Sequence, residues 1–166
     1  LRQLGVTSLT ANSTFYGDGL ALGNGDLTLF ELVQAYSALA NQGLFRPLQV
    51  LKKAPTSTSV RVFSKEITSI IADILSDPEA RGLEFGRGAL LTFPVQTAIK
   101  TGTSTDYRDA WAVGFNHRYL VGVWLGNLDQ QAMSSVSGSS GAALVLRAIF
   151  AELNRFVETK GLYLSP

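Results

Sequence analysis

The stretch that decides the fold reads Ala98-Ile99-Lys100-Thr101-Gly102-Thr103-Ser104. Around it, from residue 93 onward, apolar residues recur with a period of two instead of the longer helical period, which predicts strands. A first strand is predicted over residues 94–100. Two more are predicted over residues 110–115 and 119–125, joined by a connection short enough for an antiparallel hairpin. The second half of the chain therefore predicts an antiparallel sheet.

Working outward in the N-terminal direction, two amphipathic helices are predicted. The first begins at a capping box formed by Thr28 and Glu31 and ends at Gly43. The second begins at Ser64 and ends where Asp77-Pro78 interrupts it. Its predicted buried face consists of Ile67, Ile70, Ile71, Ile74 and Leu75. We expect the two helices to pack together, with residues 44–63 between them forming a short hairpin.

In the C-terminal direction, a last helix is predicted over residues 142–159, ending before Gly161, as the cover for one face of the sheet. Its predicted buried residues are Leu144, Leu146, Ile149, Phe150, Leu153 and Phe156. The chain thus divides into a mostly helical and loop part, residues 1–92, and a part with the strands and last helix, residues 93–166. This is an α+β organisation.

The composition of the 166 residues fits one globular unit or part of one. A net charge of +1 gives no basic excess, so nucleic acid is not an expected partner. No cysteine is present, which excludes disulfides, thiol catalysis and thiolate metal sites, and neither a metal nor a cofactor is predicted. No apolar run approaches the roughly 20 residues of a membrane crossing, so no membrane contact is expected in this segment. The first residues lack an initiating methionine and a leader pattern, so we expect an interior part of a longer chain.

Lys100-Thr101-Gly102, followed by two hydroxyl residues, resembles the Lys-Thr-Gly strand of the penicillin-binding proteins. Further stretches resembling this family lie at residues 22–28, 35–43, 73–77, 108–114 and 121–127. The resemblance implies the β-lactamase/transpeptidase-like fold, an antiparallel sheet flanked by helices, of which this chain supplies the C-terminal portion. The Ile-Leu-Ser-Asp and Arg-Asp-Ala-Trp stretches resemble the bifunctional members, which carry an N-terminal glycosyltransferase domain.

The residues of this strand suit acyl transfer to a peptide that lies along it. Lys100 supplies a positive charge for the substrate carboxylate and, by resemblance, hydrogen-bonds the serine of a Ser-x-Asn motif. Thr101 and Thr103 are expected on one strand face, where both hydroxyls reach that carboxylate. Gly102 permits close approach of the substrate backbone. By resemblance, the N–H of Thr103 is one of two oxyanion-hole donors, the other being the N–H of the nucleophilic serine.

Family resemblance implies serine acyl transfer between peptidoglycan stem peptides, inhibited by β-lactams, in the bacterial envelope at the periplasmic face of the inner membrane. Two alternatives stay open. A D,D-carboxypeptidase or β-lactamase on the same fold would use water as acceptor. A non-catalytic sensor or scaffold would keep the fold only to bind peptidoglycan or a partner.

Neither Ser-x-x-Lys nor Ser-x-Asn occurs in the 166 residues. In this family both motifs precede the Lys-Thr-Gly strand. We therefore expect the N-terminal remainder of the domain to be a partner of this segment within the parent chain, together with a glycosyltransferase domain. We also expect residues 1–166 alone to be inactive.

Several other residues are of types common in active sites, and the sequence predicts a structural role for them. His117 is predicted as a solvated residue of the hairpin turn. Asp106 and Asp109 are predicted to form salt bridges or cap a turn rather than act as catalytic carboxylates. Trp111 and Trp124 are predicted as core residues of neighbouring strands. The loop at residues 134–141 either lines the cleft or only connects strand to helix.

Overall fold

The chain begins with helical and irregular segments and continues into a sheet covered by helices. The structure, a computed structural model, describes residues 1–52, 58–85, 91–156, 158 and 160–164. The helices are α1 (Ser13–Tyr16), α2 (Leu29–Ala40), α3 (Lys65–Ser76), α4 (Pro78–Phe85) and α5 (Ala143–Leu153). The strands are β1 (Leu44–Phe45), β2 (Val60–Arg61), β3 (Ala98–Thr103), β4 (Asp109–Phe115) and β5 (Leu120–Gly126). A π-helical turn, Gly138–Ala142, leads into α5.

The central sheet has the order β3-β4-β5, and both pairs of strands are antiparallel. The predicted antiparallel sheet is confirmed. Strand β3 begins at Ala98 instead of residue 94 and extends through Thr103. Just before it, the Thr97 hydroxyl donates to the carbonyl of Val95, a local bond made outside the strand ladder. Both side chains are nevertheless buried, so the alternation that predicted a strand there reflects burial.

Helices cover both faces of this sheet, which confirms the predicted layering. On one face, Leu146 and Phe150 of α5 are fully buried among Ile99, Ala112 and Val123. On the other face, a second cluster joins β3 and β4 to α2 and α3. Its members are Ala72, Ala98 and Phe115, with Tyr36, Leu39, Ala40 and Leu75 packed against them. The expected packing of the two N-terminal helices is therefore confirmed.

Helix α2 has the predicted capping box. The Thr28 hydroxyl accepts from the N–H of Glu31, and the Glu31 carboxylate accepts from the N–H of Thr28. The other carboxylate oxygen of Glu31 accepts from both N–H and hydroxyl of Thr7 and from the N–H of Ser8. The buried Glu31 carboxylate thus ties the N-terminal segment to α2. At the C-terminal end of the helix, Gly43 adopts a left-handed conformation and donates its N–H to the carbonyl of Ala38.

The segment between α2 and α3 contains the predicted hairpin, with Leu44 opposite Arg61 and Phe45 opposite Val60. Residues 53–57 of this hairpin lie outside the described residues. The predicted interruption at Asp77-Pro78 is confirmed, because α3 ends at Ser76. A further helix, α4, was not predicted. It begins at Pro78, and the Asp77 carboxylate accepts from two N–H groups of its first turn.

The predicted buried face of α3 is wrong for three of its five residues. Ile67, Ile70 and Ile74 are each more than half exposed, and we call these three residues the isoleucine stripe. Ile71 and Leu75 are half-buried, and Leu75 packs against the second cluster. The side of α3 that meets β3 carries small residues instead: Thr68, Ser69, Ala72 and Ser76. Small side chains allow close approach to the strand, and the buried hydroxyls bond to carbonyls of their own helix.

The predicted buried face of α5 is correct for Leu146 and Phe150, which are fully buried. Leu144 and Ile149 remain 38% and 36% exposed, and Phe156 is 87% exposed. The helix ends at Leu153, where Asn154 caps it and accepts a hydrogen bond from Asn116. Because the sheet beneath α5 has three strands in the described chain, contact is confined to a narrow stripe, and Ala143, Leu146 and Phe150 fill it.

The hydrogen bonds to Glu31, those from Thr7 first among them, hold the pKa of this carboxyl far below its usual range. A depressed folded-state pKa contributes stability that is present above the unfolded pKa of about 4.3 and is lost as pH falls below it. We therefore expect Glu31→Gln to lower the free energy of unfolding at pH 7 and to lower it less at pH 3. Urea unfolding at both pH values measures the two differences.

Glu152→Gln is the matched control, since Glu152 is exposed and pairs with the exposed Arg155 at 3.6 Å. Its effect should be small at both pH values. A difference between the protein and Glu31→Gln that does not change with pH would contradict the assigned role of the ionised carboxylate.

Candidate active site

Strand β3 lies at the edge of the sheet, and no strand of the described chain pairs with its outer side. Just past its end, the N–H of Ser104 donates to the carbonyl of Asp109 at 2.9 Å, so Ser104 faces β4. Backbone groups of successive strand residues point alternately toward and away from the partner. The N–H and carbonyl groups of Thr103 and Thr101 therefore point to the open edge.

The side chain of Lys100 supports this assignment. Its ammonium donates to the carbonyl of Thr101 at 2.5 Å, which places that carbonyl on the side away from β4. Lys100 itself is exposed. A cation and two outward-facing backbone amides therefore occur together along the open edge.

The two threonine side chains share a face of the sheet, as the alternation predicts. Thr101 lies opposite Ala112 and Thr103 opposite Ala110, and both alanines belong to the cluster around α5. Thr103 is exposed and Thr101 is half-buried. All four sequence-predicted site residues, Lys100 to Thr103, thus lie on one strand, with their side chains divided between its two faces.

An open cavity of about 240 Å³ follows this edge. Three consecutive strand residues, Ile99, Lys100 and Thr101, line one wall, as expected for a space alongside an edge rather than over one face. The opposite wall is formed by Ile74, Leu75, Ala80 and Arg81 of α3 and α4. The cavity is largely apolar, with positive charge contributed by Lys100 and Arg81.

Arg81 is a site residue that the sequence analysis missed. Its guanidinium donates to the carbonyls of Leu75 and Thr97 and so ties the start of α4 to the segment before β3. The signal that could have found it is Asp77-Pro78, which marks a helix start as well as a helix end.

The loop at residues 134–141, whose role the sequence left open, lies against β3. The N–H of Gly138 donates to the Thr103 hydroxyl oxygen at 2.9 Å. A Cβ atom at position 138 would stand 2.5 Å from the carbonyl oxygen of Gly102 and 2.8 Å from that of Trp111. The loop therefore approaches the strand backbone more closely than any side chain at this position allows.

Asp109 holds the turn that follows β3. One carboxylate oxygen accepts from the Ser104 hydroxyl at 2.9 Å, and the other accepts from the indole N–H of Trp124 at 2.8 Å. Asp106 forms an exposed ion pair with Arg108 at 3.7 Å. The prediction of salt bridging and turn capping is confirmed for both carboxylates.

The remaining candidates occupy structural positions. Trp111 and Trp124 are directly opposite each other, with ring centroids 6.2 Å apart, but both are half-buried, so their prediction as core residues is only partly correct. His117 lies in the predicted turn but is half-buried, so its prediction as a solvated residue is only partly correct. Across the described ranges, no group of three or more histidine, cysteine or carboxylate side chains is placed to hold a metal ion. Nor does any helix in these ranges have the length and apolarity that a bilayer crossing requires.

Comparison with known proteins shows the family to which the chain belongs. The family model for the penicillin-binding protein transpeptidase domain matches residues 7–151. The chain belongs to this family. The match covers most of the chain, including all three strands of the central sheet.

Among individual relatives, the chain is 32% identical to penicillin-binding protein 1C of Escherichia coli strain K12 over 149 residues. This agrees with the resemblance carried by the Ile-Leu-Ser-Asp and Arg-Asp-Ala-Trp stretches. It is 30% identical to penicillin-binding protein 1B of Vibrio cholerae over 135 residues. These alignments cover 90% and 76% of this chain but 19% and 17% of the relatives, so the chain spans about a fifth of their length.

The fold agrees with a solved structure of the same family. The crystal structure of penicillin-binding protein 1A from Haemophilus influenzae superposes with a TM-score of 0.73 over 99% of this chain and 31% of that one. Sequence identity is 14%, so the likeness concerns the fold alone. The predicted fold class is confirmed.

We expect Asp109→Ala to lower the free energy of unfolding by about 2 kcal/mol, because it leaves two donors, the Ser104 hydroxyl and the Trp124 indole, without an acceptor. Asp106→Ala is the control. It removes an exposed ion pair and should change the unfolding free energy by less than about 0.5 kcal/mol. Urea unfolding of both variants measures the difference, and equal effects would contradict the role given to Asp109.

Proposed function

We propose that this chain is the C-terminal part of a peptidoglycan D,D-transpeptidase domain and that β3 forms one wall of its substrate groove. The observation that carries the proposal is the open edge of β3. There the N–H groups of Thr101 and Thr103 point away from the sheet beside the exposed ammonium of Lys100. Membership in the penicillin-binding family supports the same conclusion.

An extended peptide can add to such an edge as a further strand, because outward-facing N–H and carbonyl groups are free to pair with it. The terminal carboxylate of a D-Ala-D-Ala stem then meets Lys100 and the hydroxyls of Thr101 and Thr103. At Gly102 no side chain obstructs the substrate backbone. These contacts hold the scissile amide in a fixed position along the strand.

The proposed reaction is acyl transfer through a serine ester. A serine outside these 166 residues attacks the carbonyl carbon of the penultimate D-alanine, its proton passes to the leaving amine, and the terminal D-alanine departs. An amine of a neighbouring stem then attacks the ester, forms the cross-link and returns the serine. During both attacks the N–H of Thr103 donates to the oxyanion, and loss of such a donor typically costs about 3 kcal/mol in the transition state.

We also propose that Ser-x-x-Lys and Ser-x-Asn lie in an N-terminal remainder of the domain that packs against this segment. The isoleucine stripe supports this, since three neighbouring isoleucines exposed on one helix are typical of an interface. The outer edge of β5 is also unpaired within the described chain. In the parent protein a glycosyltransferase domain would accompany this domain at the extracytoplasmic face of the inner membrane, where peptidoglycan is the substrate.

We expect the complete parent chain to form a covalent adduct with a fluorescent penicillin, and residues 1–166 alone to form none, since the nucleophile is absent. Lys100→Ala in the complete chain should slow acylation roughly 10²-fold, because the inhibitor carboxylate loses its cation. Gel fluorescence against time measures the rates.

Lys65→Ala is the matched control, an exposed lysine at the start of α3 outside the cavity lining, and should leave acylation unchanged. A stoichiometric adduct on residues 1–166 alone would refute the assignment of the nucleophile to the remainder. Fast hydrolysis of the adduct by the complete chain would identify a carboxypeptidase or β-lactamase instead. A complete chain that forms no adduct would favour the non-catalytic sensor or scaffold.

A separate experiment tests whether the N-terminal remainder of the domain packs on α3. Ile70→Thr should destabilise the complete chain by about 2 kcal/mol, the free energy of burying one large apolar side chain. Val60→Thr is the control, because Val60 on β2 is similarly exposed, at 55% against 52%, but lies outside the isoleucine stripe. Equal changes in urea unfolding would contradict an interface on α3.

A further inference from the structure

The hydroxyl of Thr103 has a single hydrogen-bond partner in the described part of the chain, and that partner is a donor. The N–H of Gly138 points at the hydroxyl oxygen from 2.9 Å. A threonine hydroxyl has one proton and two lone pairs. Because the amide occupies a lone pair, the hydroxyl proton is directed elsewhere, and Thr103 is exposed at the open edge of β3.

The fold holds the Gly138 amide firmly in place. The Ser137 hydroxyl accepts from the N–H of Ser140 at 3.1 Å, and the Ser140 hydroxyl accepts from the N–H of Ser137 at 2.9 Å, so the two serines close a reciprocal cap around the turn. The turn continues into α5 through Ala142 and Ala143, both fully buried. The absence of a side chain at position 138 lets the amide reach the strand.

We propose that Gly138 is a positioning residue for the acyl-transfer reaction, because its N–H fixes the Thr103 hydroxyl as a donor toward the substrate carboxylate. The inference rests on the proposed function. A carboxylate has only acceptor sites, so a hydroxyl that could turn its lone pairs toward it would repel it. The Gly138 bond removes that orientation before the substrate arrives, which lowers the cost of ordering the site.

The experiment measures second-order acylation of the complete parent chain by benzylpenicillin in a double-mutant cycle. Gly138→Ala should slow acylation about tenfold, as expected for a misplaced hydrogen bond to a charged group. Thr103→Val, which keeps the backbone N–H, should slow it by a similar factor. The double variant should be no slower than Thr103→Val, since Gly138 acts through that hydroxyl.

Gly141→Ala is the matched control in the same turn. A Cβ there would meet only side-chain carbons of Val136 and Leu125, which can shift, whereas one at position 138 meets backbone oxygens. Acylation of Gly141→Ala should stay within about twofold of the unchanged chain. If Gly138→Ala does not fold, Ser137→Ala replaces it, because it loosens the cap without adding an atom, and it should again slow acylation only when Thr103 is present.

A second substrate separates positioning from a general structural role. Benzylpenicillin methyl ester lacks the negative charge, so Gly138→Ala should slow its acylation much less than it slows that of the acid. Equal losses for acid and ester, or losses that multiply in the double variant, would overturn the inference while leaving the proposed function intact. A complete chain that neither compound acylates would refute the proposed function and with it the inference.

Discussion

The pairing of β3 with β4 on one side only is the constraint on which the rest of the site depends. It commits alternate backbone groups to the sheet and leaves those of Thr101 and Thr103 on the outside. The Asp109 carboxylate stabilises the end of this pairing by bonding Ser104 and Trp124 together. The geometry of the edge is therefore set by the sheet and its following turn, before any substrate contact is made.

A charged side chain and apolar packing make separate contributions at this edge. The charged group, Lys100, is exposed and lies beside a cavity whose opposite wall is mainly apolar. Apolar walls exclude water and make each remaining hydrogen bond and charge contact stronger. On the other face of β3, the turn before α5 is anchored by buried alanines, so it contributes a rigid amide instead of a mobile side chain.

Local signals in the sequence predicted the positions of the helices and strands better than they predicted which faces of these elements are buried. The capping box of α2 and the hairpin turn at His117 depend on contacts within a few residues, and the sequence contains them. The burial of α3 depends on how closely it approaches β3, which periodicity does not encode, so Thr68 and Ser69 point inward where isoleucines were expected. The Gly138 contact joins residues 35 positions apart in the chain and left no local signal.

An uncovered strand edge carries a liability, because it can pair with the same edge of another copy and extend the sheet between molecules. In β3 this hazard is limited by an exposed ammonium in the middle of a six-residue strand. Two such edges meeting antiparallel around position 100 would bring two lysine charges together, and like charges opposite each other destabilise a strand pair. Lys100 thus also discourages self-association through this edge.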